Sequence, residues 1–507
     1  MNTTHTFAQA PEGVTEFLQQ PAPMWIAGQP CQARSKKTET LIDPATGRAI
    51  ASTAVGGVDE IDAAVQAARK AFSQRSWRNL PPAERTRLLW RLAELIQADS
   101  NELAYLETLN QGMPLSTSQF VMGHVLPDML QYAAGWATKI EGSTGRLSIP
   151  DERMGSPWGA PYHSYTVREP VGVVGAIIPW NMPLLMAIAK IGPAIAAGCT
   201  MVIKPAIETP LTAAWLGKLI VKAGFPAGVI NLVQGSGPEA GAALAEHPEI
   251  NMITFTGSTQ VGRELTGMAG RTMKRIALEL GGKSPVIIFD DADLERAVAV
   301  SAEGIAFNAG QICFAGTRLL VDRKIADEVT MRLASYLGEM KVGHGLEANT
   351  QLGPLTSERQ LHRVQGFVDE ARAHPGIKII SGGQPCPGPG WFYPPTVLRV
   401  EDHSAPILNQ EVFGPVITVS SFDDPADLPR LANAGDYGLA ASIWTRNLAL
   451  GHALAAEIQA GTICINSGMS LDDSMPNGGF KSSGWGREGG RIGVESYTEL
   501  KSVVAAL

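Results

Sequence analysis

Apolar positions recur at helical spacing from Asp59 onward. Ile61, Ala64, Val65, Ala68 and Phe72 share one face, and Pro82 to Ile96 repeats the pattern with Pro82 near a first-turn position. Upstream, residues 1–57 are rich in turn formers and end in a short polar-apolar alternation around Ile42 to Val55, with Asp43-Pro44-Ala45-Thr46-Gly47 as a tight turn between extended pieces. After Val171 strands and helices alternate: strand Val171–Ile177, helix Leu184–Ala197, strand Met201–Lys204, helix Leu211–Ala223, strand Val229–Val233, helix Glu239–Ala245, strand Met252–Thr256 and helix Thr259–Ala269. Such units with short connectors predict a parallel, doubly wound sheet with ligand sites at the carboxyl ends of its strands. A second run begins at Ser284–Phe289 and continues through helix Leu294–Phe307 and strand Arg318–Val321, with Gly281-Gly282 as a flexible joint between the two. The fold class is therefore α/β.

Val171 to Cys199 is almost wholly apolar, but Pro179, Asn181, Pro183, Lys190 and Pro193 interrupt it, so it reads as a buried strand and a buried helix rather than a membrane span. The 507 residues give room for about three domains. A net charge of −8 without any Lys/Arg run argues against nucleic acid as a partner. Cys31, Cys199, Cys313, Cys386 and Cys464 lie far apart, with no CxxC and no His at ligand spacing, so neither a disulfide framework nor a metal site is expected. No Lys or Arg precedes Arg34, and the expected setting is a reducing cytoplasm.

Three stretches carry candidate chemistry. Phe255 to Gly262 is a strand ending in a small-residue turn that opens a helix, where Gly257 and Ser258 can hold a phosphate, or simply make a tight connection. Phe307 to Arg318 sets Cys313 after a Gly-Gln pair that can leave backbone N–H groups open near the sulfur, as a nucleophile facing a carbonyl oxygen requires; the other four cysteines read as small hydrophobes. Glu279, at the end of the apolar strand Ile276 to Leu278, is either a desolvated general base or a solvated strand-end carboxylate.

These segments, with Pro179-Trp180-Asn181, Asn409 to Pro415, Asp43 to Gly47 and Gly478 to Gly484, resemble in order and spacing the signature set of the aldehyde dehydrogenase superfamily over nearly the whole chain. The resemblance implies a Rossmann-type cofactor domain (1–140 and 171–280), an α/β catalytic domain (281–482) and a β-hairpin oligomerisation element (141–170 and 483–507), with a homodimer or homotetramer as the assembly. It implies Cys313 as nucleophile toward an aldehyde carbon, with Asn181 and the Cys313 N–H holding the oxyanion. Hydride passes to NAD(P), and Glu279 activates the water that hydrolyses the thioester to a carboxylic acid. Lys190 and Glu488 match a proton path, or form a structural ion pair. Glu279 favours hydrolysis over acyl transfer to coenzyme A.

For the cofactor, Trp180, Lys204, Gly237, Gly257, Ser258, Gly262, Glu411 and Phe413 match binding positions. Ile207 stands where many NAD-dependent members carry Glu, with Glu208 one later, so NAD is expected with NADP tolerated. The aldehyde tunnel corresponds to Met182, Leu185, Met186, Ala189, Phe307, Ile312, Phe314, Met469 and Leu471, an apolar set that points to a bulky aromatic or terpenoid aldehyde. The tail Asn466 to Gly486 is similar to the phenylacetaldehyde dehydrogenase branch, although Asn477 replaces a common aromatic. A cysteine-dependent esterase, or an inactive binding protein on the same fold, is the competing class.

Overall fold

The computed structural model describes residues 7–145, 147, 162–468 and 472–506; Asp151 to Ala160, Met469 and Leu471 lie outside the described residues. Its first sheet is built on strands whose side chains are buried on both faces. Val173–Ile177, Thr200–Lys204 and Met252–Thr256 have no exposed residue, as parallel strands covered by helices require. Alternate residues serve separate cores: Val174, Ala176, Met201 and Ile203 join one cluster, and Val173, Ile177 and Val202 the other.

From one edge the order is Gln29–Cys31, Met24–Ile26, Ile230–Leu232, Thr200–Lys204, Val173–Ile177, Met252–Thr256, Arg275–Glu279 and Gly484–Trp485. The chain runs outward from Val173–Ile177 in one direction, then returns and runs outward in the other. The order therefore reverses between Val173–Ile177 and Met252–Thr256. Ile177 lies level with Lys204 and Phe255, and Thr256 with Glu279, so the turns following these four strands open on one rim. The antiparallel strands at both edges, Met24–Ile26 with Gln29–Cys31 and Gly484–Trp485, were outside the sequence pattern.

The second sheet has the order Ile377–Ser381, Thr396–Val400, Val416–Phe422, Arg318–Asp322, Pro285–Ile288, Ala440–Trp444 and Thr462–Ile465. Only its first pair is antiparallel. The turn Asp43 to Gly47 forms as expected between strands Thr38–Ile42 and Ala49–Ala54, with Asp43 Oδ1 accepting the Ala45 N–H at 2.8 Å and Gly47 at φ +67°. The expected helix Glu239–Ala245 is instead a π-turn, Gly237–Gly241, running into helix Ala242–Glu246.

The passage between the sheets corrects one expectation. Gly281 and Gly282 are not a loose joint. A Cβ on Gly281 would come within 2.4 Å of Glu411 Oε2, and one on Gly282 within 2.5 Å of the Cys313 carbonyl oxygen. Glycine is required there for close approach.

The C-terminal strand Thr498–Ala506 pairs antiparallel with Tyr162–Pro170 of the same chain through its whole length, and Thr144–Gly145 lies on the far side. Thr498–Ala506 is thus an edge strand, with Leu500 and Val504 exposed along it. Among the described residues no helix is long and apolar enough to cross a membrane, and the run from Val171 to Cys199 is a buried strand and helix.

Candidate active site

Asn181 follows strand Val173–Ile177 and precedes helix Pro183–Ala197, which starts with proline at a position where the missing N–H costs nothing. Its Nδ2 donates to the Gln311 carbonyl at 2.8 Å, and its own carbonyl accepts from Asn308 Nδ2 at 2.7 Å. A side-chain amide carries two N–H donors, so one remains for an oxyanion. Gln311 lies two residues before Cys313, on a turn in which Asn308 and Ala309 hold positive φ (49° and 53°). Such backbone costs of order 1–3 kcal/mol per residue and persists where the surroundings over-determine it.

The Cys313 thiol is pushed up to about 12 by burial, with the carboxylates of Glu411 and Glu279 adding to the shift; the N–H groups of Phe314 and Cys313 oppose it. The expected backbone donors are therefore at the sulfur, but the resting group is a thiol. Glu279 is itself raised to about 8, by burial first, with Lys190 and Arg487 pulling the other way. Burial lowers Lys190, which has no exposed surface, against the opposing pull of Glu279 and Cys313. Lys190 is ion-paired with Glu488, whose side chain is partly exposed, so the electrostatic chain of Cys313, Glu279 and Lys190 ends at a group that meets solvent. Asn477 exchanges backbone hydrogen bonds with Glu488 at 2.8 and 2.9 Å, fixing the segment that brings Glu488 to Lys190; these bonds do not depend on its side chain, and nothing in the structure explains the choice of Asn there.

A cavity of about 720 Å³ opens beside this chain. Met182, Leu185, Met186, Ala189, Phe307, Ile312 and Phe314 line it. Ile312 and Phe314 flank Cys313, and Met186, Ala189 and Pro193 recur on one face of the helix that also carries Lys190. Phe120, Val125 and Met129 also line it and were not anticipated; they come from a helical stretch interrupted by the π-turn Val121–Val125, where no local motif marks a site.

On the rim of the first sheet, Ser236 and Ser258 each cap a helix start, their Oγ atoms accepting the N–H of Glu239 at 3.3 Å and of Val261 at 3.4 Å. The first N–H groups of a helix have no partner within it and suit an anion. No contact lies within 4 Å of a Cβ built on Gly237, whereas one on Gly262 would come within 2.7 Å of Leu280, so Gly262 serves helix-to-strand packing. A Cβ on Gly257 would come within 2.4 Å of the Phe255 ring. Lys204 Nζ donates to the carbonyls of Pro205 and Gly235 at 2.9 and 3.0 Å, leaving its third proton free of these bonds. Ile207 is half-buried, and Glu208 is held at 3.3 Å by Arg359 while its charge still acts on Lys204.

Glu411 Oε1 accepts the Gly282 N–H at 2.9 Å, and burial raises this carboxyl to about 7. The Phe413 ring meets Trp180 edge-on at 5.3 Å, with Phe413 at φ +60° and its carbonyl accepting from Gln360 Nε2 at 2.6 Å. These donors, carboxylates and flat apolar faces at a strand-order reversal fit a dinucleotide. Among the described residues there is no cluster suited to a metal ion.

The family model described as "Aldehyde dehydrogenase family" matches residues 31–503. A phenylacetaldehyde dehydrogenase of Pseudomonas fluorescens is 44% identical, over 96% of this chain and 97% of its own. The solved NAD+ complex of an aldehyde dehydrogenase from Bacillus cereus superposes with a TM-score of 0.94 at 40% identity, covering 99% of this chain and 100% of that one. A betaine aldehyde dehydrogenase from Staphylococcus aureus, solved with NAD+, gives 0.92 at 36% identity over 97% of both chains. Agreement of this extent, over nearly the full length of each chain, is agreement of the whole molecule: the chain belongs to the aldehyde dehydrogenase family.

Proposed function

We propose that this aldehyde dehydrogenase oxidises bulky hydrophobic aldehydes, aromatic or terpenoid, to carboxylic acids with NAD. The observation that carries the reading is the placement of Cys313 between two residues of a large apolar cavity, with Glu279 and Lys190 acting electrostatically on its sulfur. The similarity to a phenylacetaldehyde dehydrogenase supports the substrate class, and the NAD+ complexes of similar structures support the cofactor.

In this mechanism Cys313 gives up its proton to the Glu279 carboxylate, which releases it to solvent by way of Lys190 and Glu488 and is basic again before hydrolysis, and Sγ bonds to the aldehyde carbon. The free N–H of Asn181 and the Cys313 N–H receive the developing oxyanion. When bound, NAD supplies the acceptor for the hydride leaving that carbon. Glu279 then takes a proton from water as the water oxygen bonds to the thioester carbon; the C–S bond breaks, Cys313 leaves as thiolate and the acid departs. Trp180, Lys204, Gly237, Gly257, Ser258, Glu411 and Phe413 hold the dinucleotide, with Gly262 packing beneath it. Ile207 places no carboxylate against a 2′-phosphate, so NADP is tolerated.

Residues 1–140 with 171–280 form the cofactor domain and 281–482 the catalytic domain. The edge strand Thr498–Ala506 supplies the contact of a homodimer or homotetramer.

The test follows nucleotide reduction with phenylacetaldehyde, a terpenoid aldehyde and acetaldehyde, each with NAD and NADP. Reduction favouring the bulky aldehydes and lost in Cys313→Ala is expected. Full rate in Cys313→Ala overturns the mechanism, and nucleotide-independent ester turnover as the sole activity would favour an acyl hydrolase.

A further inference from the structure

Behind the turn that carries Cys313, four buried side chains satisfy one another. Gln111, the last residue of helix Ser100–Gln111, has no exposed surface. Its Nε2 donates to Asn308 Oδ1 at 2.8 Å and to Thr356 Oγ1 at 3.2 Å, and its Oε1 accepts the Met113 N–H at 2.9 Å. Thr356 returns a bond to the Gln111 carbonyl at 3.1 Å, and its N–H donates to Gln311 Oε1 at 3.0 Å. Gln311 Nε2 donates to the Asn308 carbonyl at 3.0 Å. Asn308 Nδ2, the remaining donor, reaches the Asn181 carbonyl. Helix Ser100–Gln111 precedes the first parallel strand in the chain, whereas Asn308 and Thr356 belong to the segment built on the second sheet, so the contact joins two distant parts of the sequence.

We infer that Gln111 is a positioning residue that sets the direction of the Asn308 amide, and through it the Asn181 amide that receives the oxyanion. The inference rests on the aldehyde-oxidising mechanism above. Because Gln111 presents an N–H to Asn308, that side chain must turn its oxygen toward Gln111 and its NH₂ toward the Asn181 carbonyl. The Asn181 peptide is then held, and its Nδ2 places one proton on Gln311 and leaves the other for the reaction. The same bonds hold Asn308 in its left-handed conformation. No group here touches substrate; the effect is orientation of a donor that does.

Helix Ser100–Gln111 anchors two neighbouring segments in the same way. Glu107 accepts from Thr212 Oγ1 at 2.8 Å and from the Leu184 N–H at the start of the helix after Asn181, and Asn110 Nδ2 donates to the Glu208 carbonyl at 2.9 Å.

The experiment measures kcat and KM for phenylacetaldehyde and NAD in the full-length enzyme carrying Gln111→Leu, Asn181→Ala or both, with folding followed by Tm. A Gln111→Leu enzyme is expected to lose kcat by about tenfold or more while its KM for NAD stays within about threefold; added to Asn181→Ala, the same change costs less than about twofold, because the donor it orients is already gone. Losses that multiply, or a Gln111→Leu enzyme within about twofold of the parent, would overturn the inference. Gln111→Glu keeps the shape and supplies a second reading should Gln111→Leu not fold. Only when protonated can the introduced carboxyl donate to Asn308, so its kcat relative to the parent is expected to rise on acidification; a flat ratio with parental kcat counts against the inference. Full activity in Cys313→Ala would instead remove the mechanism itself, whatever Gln111 does.

Discussion

Two turns end neighbouring strands on the same rim of the first sheet, and they are held in different ways. The turn after Thr256 takes its cap from within, Ser258 accepting the Val261 N–H of its own helix, and its distant ties run to the sheet edge: Gly257 N–H donates to the Glu279 carbonyl at 3.0 Å and Thr259 Oγ1 to the Ser482 carbonyl at 3.2 Å. The turn after Ile177 is built from a distance. Thr209 Oγ1 donates to the Trp180 carbonyl at 3.2 Å, Asn308 holds the Asn181 carbonyl, and Asn181 itself holds Gln311. A dinucleotide is gripped through many contacts, each replaceable at small cost, so a turn capped by its own serine suffices. An oxyanion offers one atom to one or two donors, and their direction needs a rigid surround.

The contrast is broken most sharply at the reacting groups. Glu279→Gln should lower steady-state turnover by about 100- to 10,000-fold and let acyl enzyme accumulate, visible as a burst of reduced nucleotide. Because burial raises Glu279 to about 8, its basic form appears as pH rises through that value. Thioester hydrolysis in the parent should therefore climb with pH across this range, and the Gln variant should lose that climb.

Next in size, Asn181→Ala should cost about 100- to 1000-fold in kcat, with KM for NAD little changed if the distant turn serves the oxyanion alone. A matching rise in KM for NAD would show that the two turns share one task. Within the cavity, Ala189→Phe should shift the ratio of kcat/KM for phenylacetaldehyde over acetaldehyde downward by about tenfold, and an unchanged ratio would place Ala189 off the substrate path. Smallest of all, Ser258→Ala should raise KM for NAD by about three- to tenfold and leave kcat alone, the scale of one cap and one hydrogen bond.

The same contrast governs what could be read in the sequence. Gly257 and Ser258 were legible because strand, turn and helix follow one another directly. Cys313 and Glu279 were candidates from their neighbours, but their roles depended on resemblance, since no local pattern shows that a strand-end carboxylate is buried. Ile207 was marked as a departure through the resemblance, yet nothing nearby showed Glu208 to be engaged by Arg359, 151 residues away. Gln111 was missed altogether. The available signal was in helix Ser100–Gln111, whose Glu107, Thr108, Asn110 and Gln111 are polar yet lie among leucines, a pattern that fits burial only if distant partners exist. The alternation of strands and helices was legible from Val171 onward, whereas the antiparallel edges were not, because Met24–Ile26 and Gly484–Trp485 are too short to show a period of two.

The slot at Gly281 and Gly282 has a mechanical consequence. A side chain at Gly281 would press on the Glu411 carboxylate, and one at Gly282 on the Cys313 carbonyl. The strand bearing Glu279, the loop bearing Glu411 and the turn bearing Cys313 are thereby keyed to one another, as parts of a lock share a single bolt. An added methyl group at either glycine would disturb both ends of the site at once.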